Sequence, residues 1–251
     1  MSDLFWLTAA QMARMAPFFP KSHGQPRVDD RRVLSGIIFI IRNGLRWRDA
    51  PTAYGPHKTL YSRWRRWSGK GIFARMMAGL AAEHGEEKTV MIDATYLKAH
   101  RTATSMAIKK GAWSPDRANQ RRHEHQAARH LRQPGTTARP VHHRRTGERL
   151  YRRTGAAQRP ANVEWLLGDR GYDADWLREA LQDKGIRACI PGRKQRKTPV
   201  KYDKRRYKRR SRIEIMFGRL KDWRRVATRY DRCPKIFLSA IALAATVIYW
   251  L

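Results

Sequence analysis

The chain predicts an α/β region preceded by a small all-helical domain, and three observations point that way. Residues 1 to 84 carry helical patterning broken by glycines. Residues 161 to 191 read as strand, helix, strand. Two apolar runs end in isolated acids, Asp93 and Asp169, and a spaced set of Tyr207, Arg210, Glu214 and Lys221 follows near the C-terminus. Alternating strand and helix is the pattern of an α/β sheet, whose ligand sites lie beyond the carboxyl ends of the strands, where both aspartates are expected to fall.

In residues 1 to 84, Leu7 to Met15 follows Leu4-Phe5-Trp6, Asp29-Asp30 caps a run from Arg31 to Arg42, and further runs cover Thr59 to Trp67 and Ile72 to Ala82. Asp and Thr at run starts, with Gly44, Gly55 and Gly71 as breaks, are start and stop signals, so three or four short helices are expected. Trp64 and Trp67 stand among Arg63, Arg65 and Arg66. That mixture suits a helix laid on DNA, with guanidinium groups on phosphate and indoles packed inward.

A polar hinge at Glu83 to Lys88 leads into the second region, residues 88 to 251. Thr89-Val90-Met91-Ile92 reads as a strand closed by Asp93. Val163 to Gly168 reads as a strand closed by Asp169, Ala174 to Lys184 as a helix, Ile186 to Ile190 as a strand, and 191 to 206 as a basic loop. Phe237 to Leu251 is apolar but short for a bilayer span, and a core helix is expected there. Without an N-terminal basic region followed by an apolar stretch, a secretory signal is not expected.

Between Ala112 and Pro160 the character changes. The interval holds 12 Arg, five His and no Lys, with only Leu131, Val141 and Leu150 from the larger aliphatic set. No strand or amphipathic helix is expected there, and the segment reads as aberrant and irregular. Two origins are open: a pair of compensating frameshifts in a GC-rich gene, or a natural disordered basic linker. Reading assumed codons one base later gives two apolar runs around a polar turn, which favours the frameshift.

Charge bounds the partner. With 54 Lys and Arg against 21 Asp and Glu, the net charge is +33. Such an excess weakens a compact state by self-repulsion unless a polyanion is the usual partner, so nucleic acid is expected. Only three acids, Asp116, Glu124 and Glu148, offset the arginines of 112 to 160, yet most of the positive excess lies outside that interval. Cys189 and Cys233 form no metal motif or disulfide framework, which suits a reducing compartment.

Offsets of three, four and seven return to one helix face within roughly 60°, so Tyr207, Arg210, Glu214 and Lys221 are expected to share a stripe. Tyr, two residues, Arg, three residues, Glu, six residues, Lys: this spacing resembles the DDE transposases of bacterial insertion sequences, the group named after insertion sequence five. Asp93-Ala94-Thr95, Gly168-Asp169-Arg170-Gly171-Tyr172-Asp173 and Arg225 to Asp231 are similar to the same family, over roughly residues 1 to 111 and 161 to 251.

The resemblance implies a ribonuclease H-like catalytic domain and a metal-dependent transposase that cuts element ends and joins them to target DNA. It implies two Mg²⁺ ions, with Mn²⁺ an acceptable substitute, about 3.5–4 Å apart. Asp93 would bridge both ions, Asp169 hold one and Glu214 the other; hard divalent ions call for such oxygen ligands. Arg210 would orient Glu214 or meet phosphate, Lys221 would hold end DNA and Tyr207 would position the terminal strand. Further implications are binding to terminal inverted repeats, a homo-oligomer on DNA, and a place in the bacterial cytoplasm near the nucleoid.

Taken singly, each acid has an ordinary alternative. Asp93 could cap a turn before Thr95, Asp169 could sit in a turn before Gly171, and Glu214 could pair with Arg210 on a solvated helix. Their joint order makes the metal site the better account. If 112 to 160 displaces sheet strands, weak or absent strand transfer with retained salt-sensitive DNA binding is expected. The alternatives are a non-catalytic DNA-binding remnant or regulator, and a basic RNA-associated protein.

Overall fold

The computed structural model describes residues 4–20, 29–83, 89–100, 103, 124–132 and 163–251. It divides into two compact units, each assembled from separated stretches of chain.

The first unit comprises Met1–Leu80, Leu97–His125 and Arg219–Leu251 and is mainly helical. Helix α1 (Ala9–Met15) begins at Thr8, whose hydroxyl accepts from the Gln11 N–H while the Gln11 side chain accepts from the Thr8 N–H. This reciprocal pair satisfies two donors that the helix start leaves open. Helix α2 (Asp30–Asn43) is capped by Asp29, which accepts from the Arg31 N–H, and stops at Gly44, whose φ of 72° is the left-handed geometry that favours glycine. Nearly every α2 position from Val33 to Ile41 is buried, so this helix is the unit's axis. Helix α3 (His57–Gly69) turns Leu60, Trp64 and Trp67 inward, and the two indoles meet Phe73 of α4 (Ile72–Ala82) at 5.0 and 6.3 Å.

The second unit, Ala81–Tyr96 and Gln126–Gly218, is built on parallel strands. Strand β1 (Thr89–Ala99) pairs with β3 (Trp165–Leu167) from Thr89↔Trp165 to Met91↔Leu167, and β3 pairs with β4 (Arg187–Cys189). Helix α5 (Asp175–Gln182) connects β3 to β4, and its Leu181 joins Val90, Ile92, Val163, Leu166, Ile186 and Ile190 in one apolar cluster. These contacts form the strand–helix–strand alternation expected for 161 to 191.

Strand β2 (Glu124–Arg132) lies on the other side of β1, giving the order β2-β1-β3-β4. This corrects the expectation that 112 to 160 contains no strand. An end strand needs backbone pairing on one side only. The other residues of 112–160, and with them both proposed origins of that segment, lie outside the described residues.

Four helices and a short strand complete the C-terminal third. They are α6 (Lys204–Lys208), α7 (Ser211–Lys221), α8 (Arg224–Ala227) and α9 (Pro234–Tyr249). Strand β5 (Thr228–Arg229) pairs in parallel with Lys98 and Ala99 of β1. Helix α9 buries Ile236, Phe237 and Ala240 to Thr246 and packs on α2, α3 and α8, within the helical unit. Among the described residues no helix is long and apolar enough to cross a membrane.

Candidate active site

Two parallel strands carry the first two acids. Their paired register ends at Met91↔Leu167, and two residues further along the chain from that pair stand Asp93 and Asp169. Side chains alternate along a strand, so Asp93, still within β1, returns to the face of Met91, whereas Asp169 lies two residues past the end of β3. Asp93 does not close its strand as expected: β1 runs on to Ala99. It lies instead where β1 passes the end of β3, which still places it beyond a strand's carboxyl end. Asp169 caps the turn Arg170–Tyr172, its Oδ1 accepting from the Gly171 N–H at 2.9 Å. The turn expected as its ordinary alternative is therefore present, and it leaves the other carboxylate oxygen outside that bond.

The third acid arrives on α7. Tyr207 to Lys221 is not one helix: α6 ends at Lys208, Arg209 and Arg210 form a turn, and α7 starts at Ser211. The Arg210 N–H donates to the Tyr207 carbonyl at 2.9 Å and the Ile213 N–H to the Arg210 carbonyl at 3.0 Å. These three-residue links keep the backbone coiling in the break. Within α7, Ile213, Phe217 and Leu220 are buried while Glu214 and Lys221 are exposed.

Arg210 draws the acids together. Its Nη1 lies 3.2 Å from Oδ2 of Asp93, and its Nη2 pairs with Oε1 of Glu214. Burial pulls the Arg210 guanidinium down in pKa, but Asp93, Glu214, Tyr207 and Asp169 outweigh it, and the net direction is up. Tyr207 lies beneath the guanidinium, 5.9 Å from ring centre to Cζ, and meets Tyr202 edge-on at 5.4 Å. Tyr172, three residues after Asp169, is pushed up to about 12, first by burial and then by the carboxylates of Asp169 and Asp93. Asp169 and Asp93 thus both act on Tyr172, a residue for which spacing in the sequence carries no signal.

The loop after β4 is tied to the same strand ends. Asp173, with no side-chain exposure, accepts from Arg178 at 2.9 Å, from the Arg193 N–H at 2.8 Å and from Arg196 at 3.1 Å. Burial pushes its carboxyl up, yet these donors outweigh that cost and hold it below the usual carboxylate range. The Arg193 side chain also donates to the carbonyls of Arg170 and Gly171, bracing the turn behind Asp169.

The three carboxylates are the oxygen donors a hard divalent ion requires. Their arrangement is not a closed cage: among the described residues no group of three His, Cys, Asp or Glu side chains is placed to hold a metal ion. A guanidinium already bridges two of them. Carboxylate oxygens have the donor chemistry of a divalent cation site, and the positive group between Asp93 and Glu214 is Arg210.

The expected DNA-facing residues separate by position. On α3, Arg65 and Arg66 are exposed, in line with Lys58, Tyr61, Ser62 and Lys70. Arg63 differs: its side chain is 13% exposed, lies 3.5 Å from Asp30 and sits over the Trp67 ring. Lys221 closes α7 and is exposed.

Comparison with known proteins adds two family matches. Residues 7–77 match the family described as "Putative transposase of IS4/5 family", and residues 166–251 match "Transposase DDE domain". Asp169 and Glu214 fall in the second match, whereas Asp93 lies in the stretch between the two. "Uncharacterized protein y4sN" of Sinorhizobium fredii is 33% identical over 42% of this chain and 86% of its own length. "Putative transposase for insertion sequence element IS6501" of Brucella ovis is 34% identical over 35% of this chain and 68% of its own. "Insertion element IS402 uncharacterized 16.2 kDa protein" of Burkholderia cepacia is 37% identical over 32% of this chain and 56% of its own. No solved structure matches significantly.

Proposed function

This chain belongs to the insertion-sequence transposases of the IS4/5 family, and we propose that its sheet unit breaks and rejoins DNA phosphodiesters at element ends. The observation that carries this reading is the joining of Asp93 and Glu214 through the Arg210 guanidinium, with the charge of Asp169 also acting on that group. Asp93 reaches this guanidinium from a strand more than a hundred residues away, and both groups of that pair are largely shielded from solvent.

In this reading Asp93, Asp169 and Glu214 hold divalent cations, Mg²⁺ in the cell and Mn²⁺ as a substitute. When bound, such ions neutralise charge on the attacking and leaving oxygens of a phosphodiester. Arg210 meets a backbone phosphate through its planar fork, Tyr207 positions the terminal strand, and Lys221 holds end DNA. Exposed Arg65 and Arg66 on α3 meet phosphates, fixing register without reading sequence. Terminal inverted repeats and target DNA are the partners, a homo-oligomer assembles on them, and the bacterial cytoplasm near the nucleoid is the place of action.

A second reading has its own observation. The family matches leave residues 78–165 uncovered, and that stretch holds both Asp93 and the Arg-rich segment. A remnant that binds element ends without cutting them fits this gap. The separating experiment incubates the chain and Mg²⁺ with DNA carrying the inverted repeats that flank its own gene. Nicking that disappears in Asp93→Ala and Glu214→Ala is expected of the enzyme. Binding that prefers these repeats, with no nicking, would instead establish the remnant.

A further inference from the structure

We propose that Arg210 is a resident counter-cation, closing the acidic site in the DNA-free chain and opening it when a backbone phosphate draws the guanidinium away. The inference rests on the reading of Asp93 and Glu214 as cation ligands.

The geometry is that of a plug. One guanidinium places Nη1 against Asp93 and Nη2 against Glu214, so a single planar group links two acids from distant parts of the chain. The oxygens facing it, Oδ2 and Oε1, are oxygens that a hard cation would have to take. Asp93 and Arg210 are only 15% and 19% exposed, so solvent screens their pairing far less than it does an open surface pair. Glu214, at 56%, is the open side of the bridge.

Arg210 is also placed to leave. It stands in the turn between α6 and α7, so its side chain can swing without breaking the ladder of either helix. Phosphate offers the planar fork the same two-point contact as a carboxylate. Exposed Arg205, Lys208, Arg209 and Arg212 surround the turn and raise the local concentration of any polyanion. Cation binding and DNA binding are thereby coupled: a site free for ions only a fraction of the time shows an affinity reduced by that fraction.

The test measures Mn²⁺ binding to the full chain by the electron paramagnetic resonance signal of the free ion. Without DNA, Arg210→Gln is expected to bind about tenfold more tightly than the unaltered chain, as for a site open about one-tenth of the time. Arg209→Gln, which removes an equal charge from the neighbouring position, is expected to stay within about twofold. Arg210→Lys keeps the charge without the fork, is the milder change for folding, and should also tighten binding. A short DNA duplex should tighten Mn²⁺ binding to the unaltered chain, against an Asp93→Asn baseline, and have little effect on Arg210→Gln.

Equal affinities for the unaltered chain, Arg210→Gln and Arg210→Lys, with binding lost in Asp93→Asn, would overturn the plug and leave the ligand reading standing. Absence of Asp93-dependent Mn²⁺ binding in every variant, with and without duplex, would overturn both.

Discussion

Tyr172 shows how a residue without ligand chemistry reports on the acids around it. Its ring packs against the sheet unit's apolar cluster, and its hydroxyl feels Asp169 and Asp93. Burial and those two charges push its ionisation up to about 12 from the ordinary 10.0. The folded chain thus holds this proton more tightly than the unfolded chain does. The stabilisation is present in full below pH 10.0 and is lost as pH rises toward about 12. Tyr172→Phe keeps the ring and removes the titration. Its melting temperature should therefore fall less steeply between pH 10.0 and about 12 than that of the unaltered chain. Parallel alkaline slopes would show that neither burial nor the acids shift the hydroxyl.

Helix α3 presents two faces, and its arginines divide between them. Arg65 and Arg66 are exposed, whereas Arg63 pairs with Asp30 and covers Trp67. A phosphate contact releases counterions, so each of Arg65→Ala and Arg66→Ala should lower the slope of log binding constant against log salt by about one. Their stability should move by less than about 0.5 kcal/mol. Arg63→Ala should do the reverse, leaving the slope unchanged and lowering stability by about 1 kcal/mol, because a half-buried pair and a ring contact are lost. Filter-binding titrations across salt concentrations and urea denaturation measure the two effects. Equal slope changes for all three arginines would contradict the division.

A net charge of +33 acts on the whole molecule. Like charges separated by less than a screening length oppose compaction, and that length shrinks from about 30 Å at 0.01 M salt to about 8 Å at 0.15 M. The melting temperature should therefore rise with ionic strength and rise further when heparin, a polyanion without base sequence, is added. A midpoint unaffected by both would mean that the positive groups are already balanced within the fold. The architecture adds a second global property: both units are discontinuous in sequence, so neither forms until distant segments meet. Mutual burial of α2, α3 and α9 joins the ends of the chain in one unit.

The N-terminal helices were legible from residues close together in the chain. Asp29 as a cap, Gly44 as a stop, and the inward Trp64 and Trp67 all act within a few residues of where they stand, although the helix expected from Thr59 begins at His57. The same holds for the β3–α5–β4 alternation and for Asp169 just past its strand. Pairing with remote partners was not legible. Asp93 stands within a longer strand because β1 also pairs with β5, whose residues lie far downstream. An Arg- and His-rich stretch forms β2 because backbone hydrogen bonding beside β1 does not require apolar side chains. The inward turn of Arg63 depends on Asp30, and the closure of the acids depends on Arg210 reaching back from a break between two helices. Local patterns specify elements because caps and periodicity act over one or two turns. Which charges meet depends on where the folded chain brings its distant segments, and periodicity carries no term for that.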